Sequence, residues 1–366
     1  MRAFLYKLRF ETAVHFGAPD SALSLDTSED HFCADTLFSA LCHTASAIYG
    51  PDAAAALCEE AKAGNLLLTD SMPWAKSASG TDTLFLPRPM MISQTRSEMD
   101  PARRKAVKKL NWIPVVSLES FAASVQNGTE FDISGIPKAF GRADVTERAS
   151  ISRKEGEDAN PYSVGVFRFY QGRDGISDCG LYVIALFQRE EWAVQTRTLL
   201  QALGATGIGG KISSGYGKFS LVETIDLDMQ TAGVSSAQTP EARTFAPIDA
   251  QTIWLRNALR RKDGGQLLLT ASLPRPEEME TVLDGAYFQL IRRAGFVHPA
   301  DAEKQGRKKR TQYFLTAGSV LRRRFSGDVY PAESRDIDLT ENDEQQNKRA
   351  GVPVLRYGRP VFLGVS

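Results

Sequence analysis

The residues best suited to chemistry lie in Gly204–Ser220, GATGIGGKISSGYGKFS, where six glycines fall within the fourteen positions 204–217. A chain carries that much glycine where it bends sharply or where something approaches its backbone closely. Successive amides in such a loop can close around an anion. Gly209 and Gly210 stand at its centre, Lys211 adds a cation, Ser213 and Ser214 add hydroxyls, and Tyr216 offers a face for stacking. Three other chemistries fail on the same residues. The phosphate loop G-x-x-x-x-G-K-[ST] meets Ala205 at its first glycine and Ile212 after Lys211. The dinucleotide fingerprint meets Ile212 where its third glycine belongs, and the segment follows a helical pattern rather than a strand. The nucleophile elbow G-x-S-x-G matches nowhere in the segment. A plain glycine-rich turn between helix and strand satisfies the loop equally well.

Acid–base chemistry has few candidates. Metal-free hydrolytic or transfer chemistry needs a base and an acid with pKa values near neutrality. His15 is the first candidate, and His31, His43 and His298 are the only other histidines. No second catalytic group stands out beside His15. Asp35, in ADTLFSAL with Ser39 one turn on, reads as a helix cap rather than a catalytic or metal-binding carboxylate. The four cysteines form no C-x-x-C pair, so neither a metal nor a cofactor is expected, and a reduced, cytoplasmic setting fits. No run approaches the roughly 20 apolar residues of a membrane span. The opening MRAFLYKLRF alternates and lacks a signal-peptide core.

Lys and Arg together number 44, as do Asp and Glu, for a formal net charge of zero. That balance argues against a general nucleic-acid binder, but its distribution is uneven. RRKAVKK (103–109), KQGRKKR (304–310) and RRR (322–324) carry no acids, whereas SRDIDLTENDE (334–344) is mostly acidic. Such segregation suits a basic face for a polyanion beside an acidic face for something else.

Elements must position the loop. Phe4, Tyr6, Leu8 and Phe10 recur at period two and predict an opening strand. Leu37, Phe38, Leu41, Ala45 and Ile48 mark a helix face ended by Gly50-Pro51, and DAAAALCEEAKAG reads as a second helix. Signals are poor over 64–141. GLYVIALF (180–187) predicts a buried strand, followed by a helix over 189–203 with Gly204 at its C-cap and a strand over 218–225. This order suits a β-α-β-β-α-β unit over 1–227, with the second strand hidden in the weak region. Residues 228–244 read as a linker. Over 245–366 the pattern predicts strands at QLLLTASLP, TQYFLTAG and VPVLRYGRPVFLGV, and a helix over 276–294. A second such unit is expected there, although its second helix is not visible.

GIGGKISSGYGKF resembles the glycine-rich loop of the repeat-associated RNA-binding (RAMP) superfamily of CRISPR proteins, in the form carried by the fourth subunit of the type III-A (Csm) effector. VHFG (14–17) and HFCADTLFSAL (31–41) are similar to that subunit's first strand exit and first helix, and VPVLRYGRPVFL (352–363) to its C-terminal segment. Residues 65–130 and 228–345 match only loosely. The resemblance implies an α+β fold of two ferredoxin-like (RRM-like) domains and no catalysis. It implies that the chain holds the repeat-derived 5′ handle of the guide RNA, near the target RNA, and contacts a large polymerase-like subunit and a backbone subunit. His15 and Phe16 would then meet RNA with Gly209, Gly210, Lys211, Ser213, Ser214 and Tyr216. Residues 142–169 resemble a β-hairpin thumb, with Arg148, Arg153 and Lys154 on phosphates and Ile151 or Tyr162 as a wedge. Arg356, Tyr357 and Arg359 are further candidates for RNA or subunit contact. A guide-processing endoribonuclease and the equivalent type III-B subunit are the alternatives.

Overall fold

The structure, a computed structural model, describes residues 1–17, 25–92, 101–150, 158–173, 175–229, 249–295, 309–332 and 354–365. The expected linker (beyond Met229), most of the basic run 304–310, the acidic run 334–344, and Ile151, Arg153, Lys154 and His298 lie outside the described residues.

The opening strand β1 (Arg2–Phe10) leads into α1 (Ala34–Tyr49) and α2 (Pro51–Ala63). The weak region holds β2 (Leu66–Leu68), β3 (Met72–Ser77), β4 (Asp82–Pro87), α3 (Pro101–Lys108), β5 (Trp112–Pro114) and α4 (Leu118–Asn127). A long hairpin, β6 (Gly141–Ser150) and β7 (Asn160–Phe169), precedes β8 (Ile176–Phe187), α5 (Glu191–Thr206) and β9 (Phe219–Asp226). One antiparallel sheet runs β5-β4-β3-β8-β1-β9, with β2 also pairing β8.

Both faces of that sheet are covered, which is why β1 is buried almost throughout. Phe4, Tyr6 and Leu8 face α1, α2 and α5, where Leu37, Leu41, Leu57, Leu199 and Leu203 complete the core. Ala3 and Leu5 point the other way, into a second core with Phe121, Leu255 and Leu363. Strand alternation thus serves two cores rather than core and solvent. Lys7 is buried at 5% exposure. Its ammonium reaches Asp82 and Glu223, at 2.5 Å each.

The second half departs further from expectation. Helix α6 (Ala250–Arg260) supplies the helix the pattern did not reveal; Asp249 caps it in a reciprocal box with Thr252. Strand β10 (Gly265–Leu268) follows. The helix predicted over 276–294 is corrected: a short 3₁₀ turn and α7 (Met279–Leu283) stop there, and β11 (Leu290–Arg293) is a strand. Gly285 at φ 62° ends the helical path, and β11 then pairs with β12 (Gln312–Leu315). Strands β13 (Val320–Leu321), β14 (Val329–Pro331), β15 (Leu355–Tyr357) and β16 (Phe362–Val365) complete the chain. They form small sheets, β13-β10-β16, β11-β12 and β14-β15. Two smaller corrections concern helix ends. Ile48 is 46% exposed rather than inward-facing. Gly204 lies inside α5, where a Cβ would meet the Phe219 carbonyl oxygen at 2.2 Å; Gly207 takes the C-cap.

Candidate nucleic-acid interface

Three segments far apart in sequence converge: the exit of β1, the β6–β7 hairpin and the glycine loop after α5. Val14 exchanges backbone hydrogen bonds with Phe167 of β7, 2.9 Å each way. His15 Nδ1 donates to the Gly165 carbonyl at 2.7 Å. The Gly210 amide donates to the His15 carbonyl and the Gly217 amide to that of Ala13, at 2.8 and 2.9 Å. The loop therefore lies directly on the strand exit. Gly209 takes φ 100°, and a Cβ on Gly210 would come within 2.5 Å of the His15 ring. Glycine at 209 and 210 is thus already required by internal packing, before any ligand is considered.

The far side of the loop is open. Residues Ile212–Ser214 form a 3₁₀ turn entered through Lys211, the one non-glycine residue at positive φ (59°) among the described residues. Among those residues the amides of Gly209, Lys211, Ile212 and Ser213 have no backbone acceptor. The hydroxyl-bearing Ser213 and Ser214 are exposed. A turn of unspent amides with adjacent hydroxyls and a lysine can bind an anion.

The hairpin docks onto this loop through two cation–aromatic contacts. Lys211 Nζ sits 4.7 Å from the centre of the Tyr162 ring. Arg148, directly opposite Tyr162 in the hairpin register, lies over the Tyr216 ring at 5.4 Å and donates to its hydroxyl at 2.7 Å. Such contacts hold flexible cations at a defined place on the surface.

Several expected roles are corrected. Tyr216 does not present a free stacking face; it is 6% exposed and packs with Ala13, Val164 and Val166. Phe16 is likewise 6% exposed, its ring edge-on to Phe10 and Phe32. Tyr162 lies under Lys211 rather than standing out as a wedge. Arg356, Tyr357 and Arg359 are buried at 3%, 0% and 5% exposure and offer no outer surface. The Tyr357 hydroxyl donates to the Leu66 carbonyl and accepts from the Leu68 amide. Arg359 donates to the Lys62 carbonyl and pairs with Asp328.

Asp35 is also reassigned. The N-cap of α1 is Cys33, and Asp35 in the first turn pairs with Arg293 of β11 and Arg356 of β15, at 2.5 and 3.1 Å. Burial pushes its carboxyl up, but the two guanidiniums outweigh that and hold it below its ordinary range. Asp70 does the capping instead: its carboxylate accepts from the Ala34 amide at 2.8 Å and from the Ala271 amide at 3.0 Å. Burial raises its pKa to about 6 despite those amides.

Between the glycine loop, the start of α1 and strand β11 opens a cleft of about 340 Å³. Its walls include His15, Phe16, His31, Phe32, Gly209, Gly210 and Arg293, with Glu29 at one side. His31 Nδ1 bonds Asp30 Oδ1 at 2.9 Å, and Asp30 Oδ2 accepts from Trp112 Nε1 at 3.2 Å. Burial lowers the His31 pKa, but Asp30, Asp70 and Glu29 carry it above the ordinary value. Glu29, Asp30 and His31 offer ligand atoms within 4.8 Å of one another, but Asp30 and His31 are already committed to each other. No local pattern joins Glu29 or His31 to Gly209, since only the fold brings β1's exit and α5's end together.

Residues 261–365 match the family described as the CRISPR Csm4 C-terminal domain. A curated relative from Mycobacterium tuberculosis (strain CDC 1551 / Oshkosh), the CRISPR system Cms protein Csm4, is 30% identical over 365 residues, covering 100% of this chain and 98% of its own length. The Csm4 protein of Streptococcus thermophilus is 25% identical over 371 residues, covering 98% and 97%. Among solved structures, the fold is similar to a chain of a Csm3–Csm4 subcomplex of the type III-A interference complex, with a TM-score of 0.57, 15% identity and full coverage of both chains. It is also similar to a chain of a Csm1–Csm4 cassette with AMPPNP, at a TM-score of 0.52, 17% identity and coverage of 100% and 98%. With a full-length relative at 30% identity, the chain belongs to the Csm4 family of CRISPR type III-A proteins.

Proposed function

We propose that this chain holds the repeat-derived 5′ handle of a CRISPR guide RNA on the surface where the glycine loop meets the β6–β7 hairpin. As a Csm4-family member it is a non-catalytic, RNA-binding and bridging subunit of the Csm complex. The observation that carries the finer reading is the convergence itself. Lys211, Arg148, Ser213, Ser214 and the unspent loop amides share one face although they come from sequence positions 148–214. A single-stranded, bent RNA is gripped through phosphates, 2′-hydroxyls and ring faces, and this surface supplies donors for the first two.

The fold is read as two ferredoxin-like units with a thumb. Support for the first is the chain order β1-α1-β2-β8-α5-β9 with spatial order β9-β1-β8-β2. The β6–β7 hairpin, inserted between β5 and β8, takes the place of the thumb and would lie near the target strand at the handle end of the duplex. The solved relatives were crystallised with Csm3 in one case and with Csm1 in another. We assign this chain the same two neighbours, a backbone subunit and a large polymerase-like subunit. Among the described residues no helix is long and apolar enough to cross a membrane.

The test is photocrosslinking of the assembled particle with 4-thiouridine placed along the guide. Handle positions should crosslink to peptides containing Lys211–Tyr216. Crosslinks from the handle confined to other subunits would overturn the assignment.

A further inference from the structure

We propose that Cys42 and Cys58 form a reversible oxidation site, where a peroxide converts two facing thiols to a disulfide that staples α1 to α2 and a small thiol reductant reopens it. The pair shares no residue with the RNA surface and follows from how the two helices are joined. Gly50, at φ 91°, is both the C-cap of α1 and the N-cap of α2, and Pro51 opens α2. Cys42 stands eight residues before that joint and Cys58 eight after it. At a rise of about 1.5 Å per residue, each lies about 12 Å along its helix, so a helical hairpin brings the two level. The helices pack closely against each other, and the two sulfurs are 3.8 Å apart.

The other two cysteines are placed differently. Cys179 is fully buried, and its thiol is taken up by the Phe140 and Tyr170 carbonyls at 3.1 Å each. Cys33 is buried at the N-cap of α1. Cys58 is buried in the first core, but Cys42 is only half-buried and gives solvent a way to the pair. The thiolate is the reactive form of a cysteine. The hydrogen bond from Cys42 leads in holding the Cys58 thiol below its ordinary range; burial opposes it, and Lys62, one turn on, assists. The same bond and burial keep the proton on Cys42. One sulfur is thus the readier nucleophile and its neighbour is in place to resolve the product.

The chemistry balances in two steps. The Cys58 thiolate attacks one oxygen of hydrogen peroxide, the O–O bond breaks, and the departing hydroxide takes a proton to become water, leaving a sulfenic acid on Cys58. The Cys42 sulfur then attacks the Cys58 sulfur, the S–O bond breaks, and hydroxide leaves with the Cys42 proton as a second water. Two thiols and one peroxide give one disulfide and two waters, with two electrons passing from the sulfurs to the peroxide. The sulfurs must close by about 1.8 Å to reach bonding distance. A thiol reductant reverses the bond by exchange. In a reducing compartment such a bridge is transient and redox-sensing rather than permanent.

The experiment treats reduced, full-length protein with hydrogen peroxide in slight molar excess, removes the peroxide with catalase, and alkylates the unfolded chain with N-ethylmaleimide. All four cysteines are free thiols at the start. Intact mass should show two fewer adducts than in untreated protein, and peptide mapping should join the segments holding Cys42 and Cys58. Dithiothreitol should restore the lost adducts. The bridge encloses the 15 residues 43–57, so the oxidised form should melt about 5 °C higher. Cys42→Ser, a half-buried change of nearly equal volume, should abolish the bridge and leave Cys58 as a sulfenic acid that dimedone labels. Wild-type protein that keeps all its adducts, or loses them at Cys33 or Cys179 instead, would overturn the proposal. So would a bridge that lowers the melting temperature, since the helices would then have been forced together, or a loss of two adducts that persists in Cys42→Ser.

Discussion

Asp35 offers the sharpest quantitative test, because two readings of the same residue predict different magnitudes. As a helix cap its loss costs about 0.5–2 kcal/mol; as a favourable charge in the first helical turn it is worth about 0.3–1 kcal/mol. In the structure it does more. Its carboxylate accepts from Arg293 Nε and Nη2 at 3.1 and 2.5 Å and from Arg356 Nη1 at 3.1 Å. The partners lie 258 and 321 residues away, so the contact ties α1 to β11 and β15. Arg356 is only 3% exposed, and its Nε already lacks an acceptor among the described residues. Asp35→Asn would leave two poorly solvated guanidiniums without their counter-charge. Breaking a buried pair from one side costs about 3–5 kcal/mol, a large share of the roughly 5–15 kcal/mol that holds a domain. Urea unfolding at pH 7 should show a fall of that size at unchanged m-value. Asp35's pKa is depressed in the folded state, so its contribution is present above the unfolded carboxylate pKa and is lost as pH falls through the folded value. The gap between wild type and Asp35→Asn should therefore close below about pH 4. Arg293→Met in the Asp35→Asn background should recover part of the loss, because it removes one of the stranded cations. A loss under about 1 kcal/mol for Asp35→Asn would return the residue to a simple helix-end role.

Other expectations follow from the same geometry. Lys211→Ala should shallow the plot of log affinity against log salt by about 0.7, one phosphate contact on a single strand; an unchanged slope would remove Lys211 from the RNA surface. Tyr216→Phe, which deletes only the hydroxyl that accepts from Arg148, should lower the melting temperature only slightly, because the donor is solvent-exposed. Its RNA affinity should change less than twofold, because the ring is core; a tenfold loss would reinstate Tyr216 as a stacking platform. Asp70 acts oppositely to Asp35 on pH: with its pKa raised to about 6 by burial, the folded state keeps a proton that the unfolded chain has released. Its effect on stability therefore declines as pH rises from about 4 to 6. Stability measured across that window should be flatter in Asp70→Asn than in wild type, and identical slopes would count against the assignment.

How much of this was legible in the sequence depended on where each residue's partners lay. The strands and helices around the first core were readable because periodicity is local. The α1 and α5 faces, the Gly50-Pro51 break and the 180–187 strand all depend on neighbours within one turn or one pleat. The helix expected over 276–294 shows the limit. Met279, Val282, Leu283 and Ala286 fit a helical face, but Gly285 ends it, and Leu290–Arg293 belongs to a hairpin whose partner strand lies beyond residue 308. Short apolar runs carry both periods, and tertiary pairing decides between them. Conversely, Asp249 and Thr252 were a visible capping signal for α6 that the apolar pattern did not prompt.

The site divides along the same line. Glycine at 209 and 210 was rightly read as close approach, but the first body approached is the chain itself, at His15 and Phe16. This sharpens the functional argument rather than dissolving it. Close packing on the strand exit fixes the loop's inner face and leaves the amides of Lys211 to Ser213 without a backbone acceptor among the described residues, with Tyr162 and Tyr216 holding the cations Lys211 and Arg148 beside them. The aromatic residues nearest the glycines thus bury their rings and position charge. What they present to a ligand is cations and amides, so mutations that spare the rings but remove the charges should separate binding from folding.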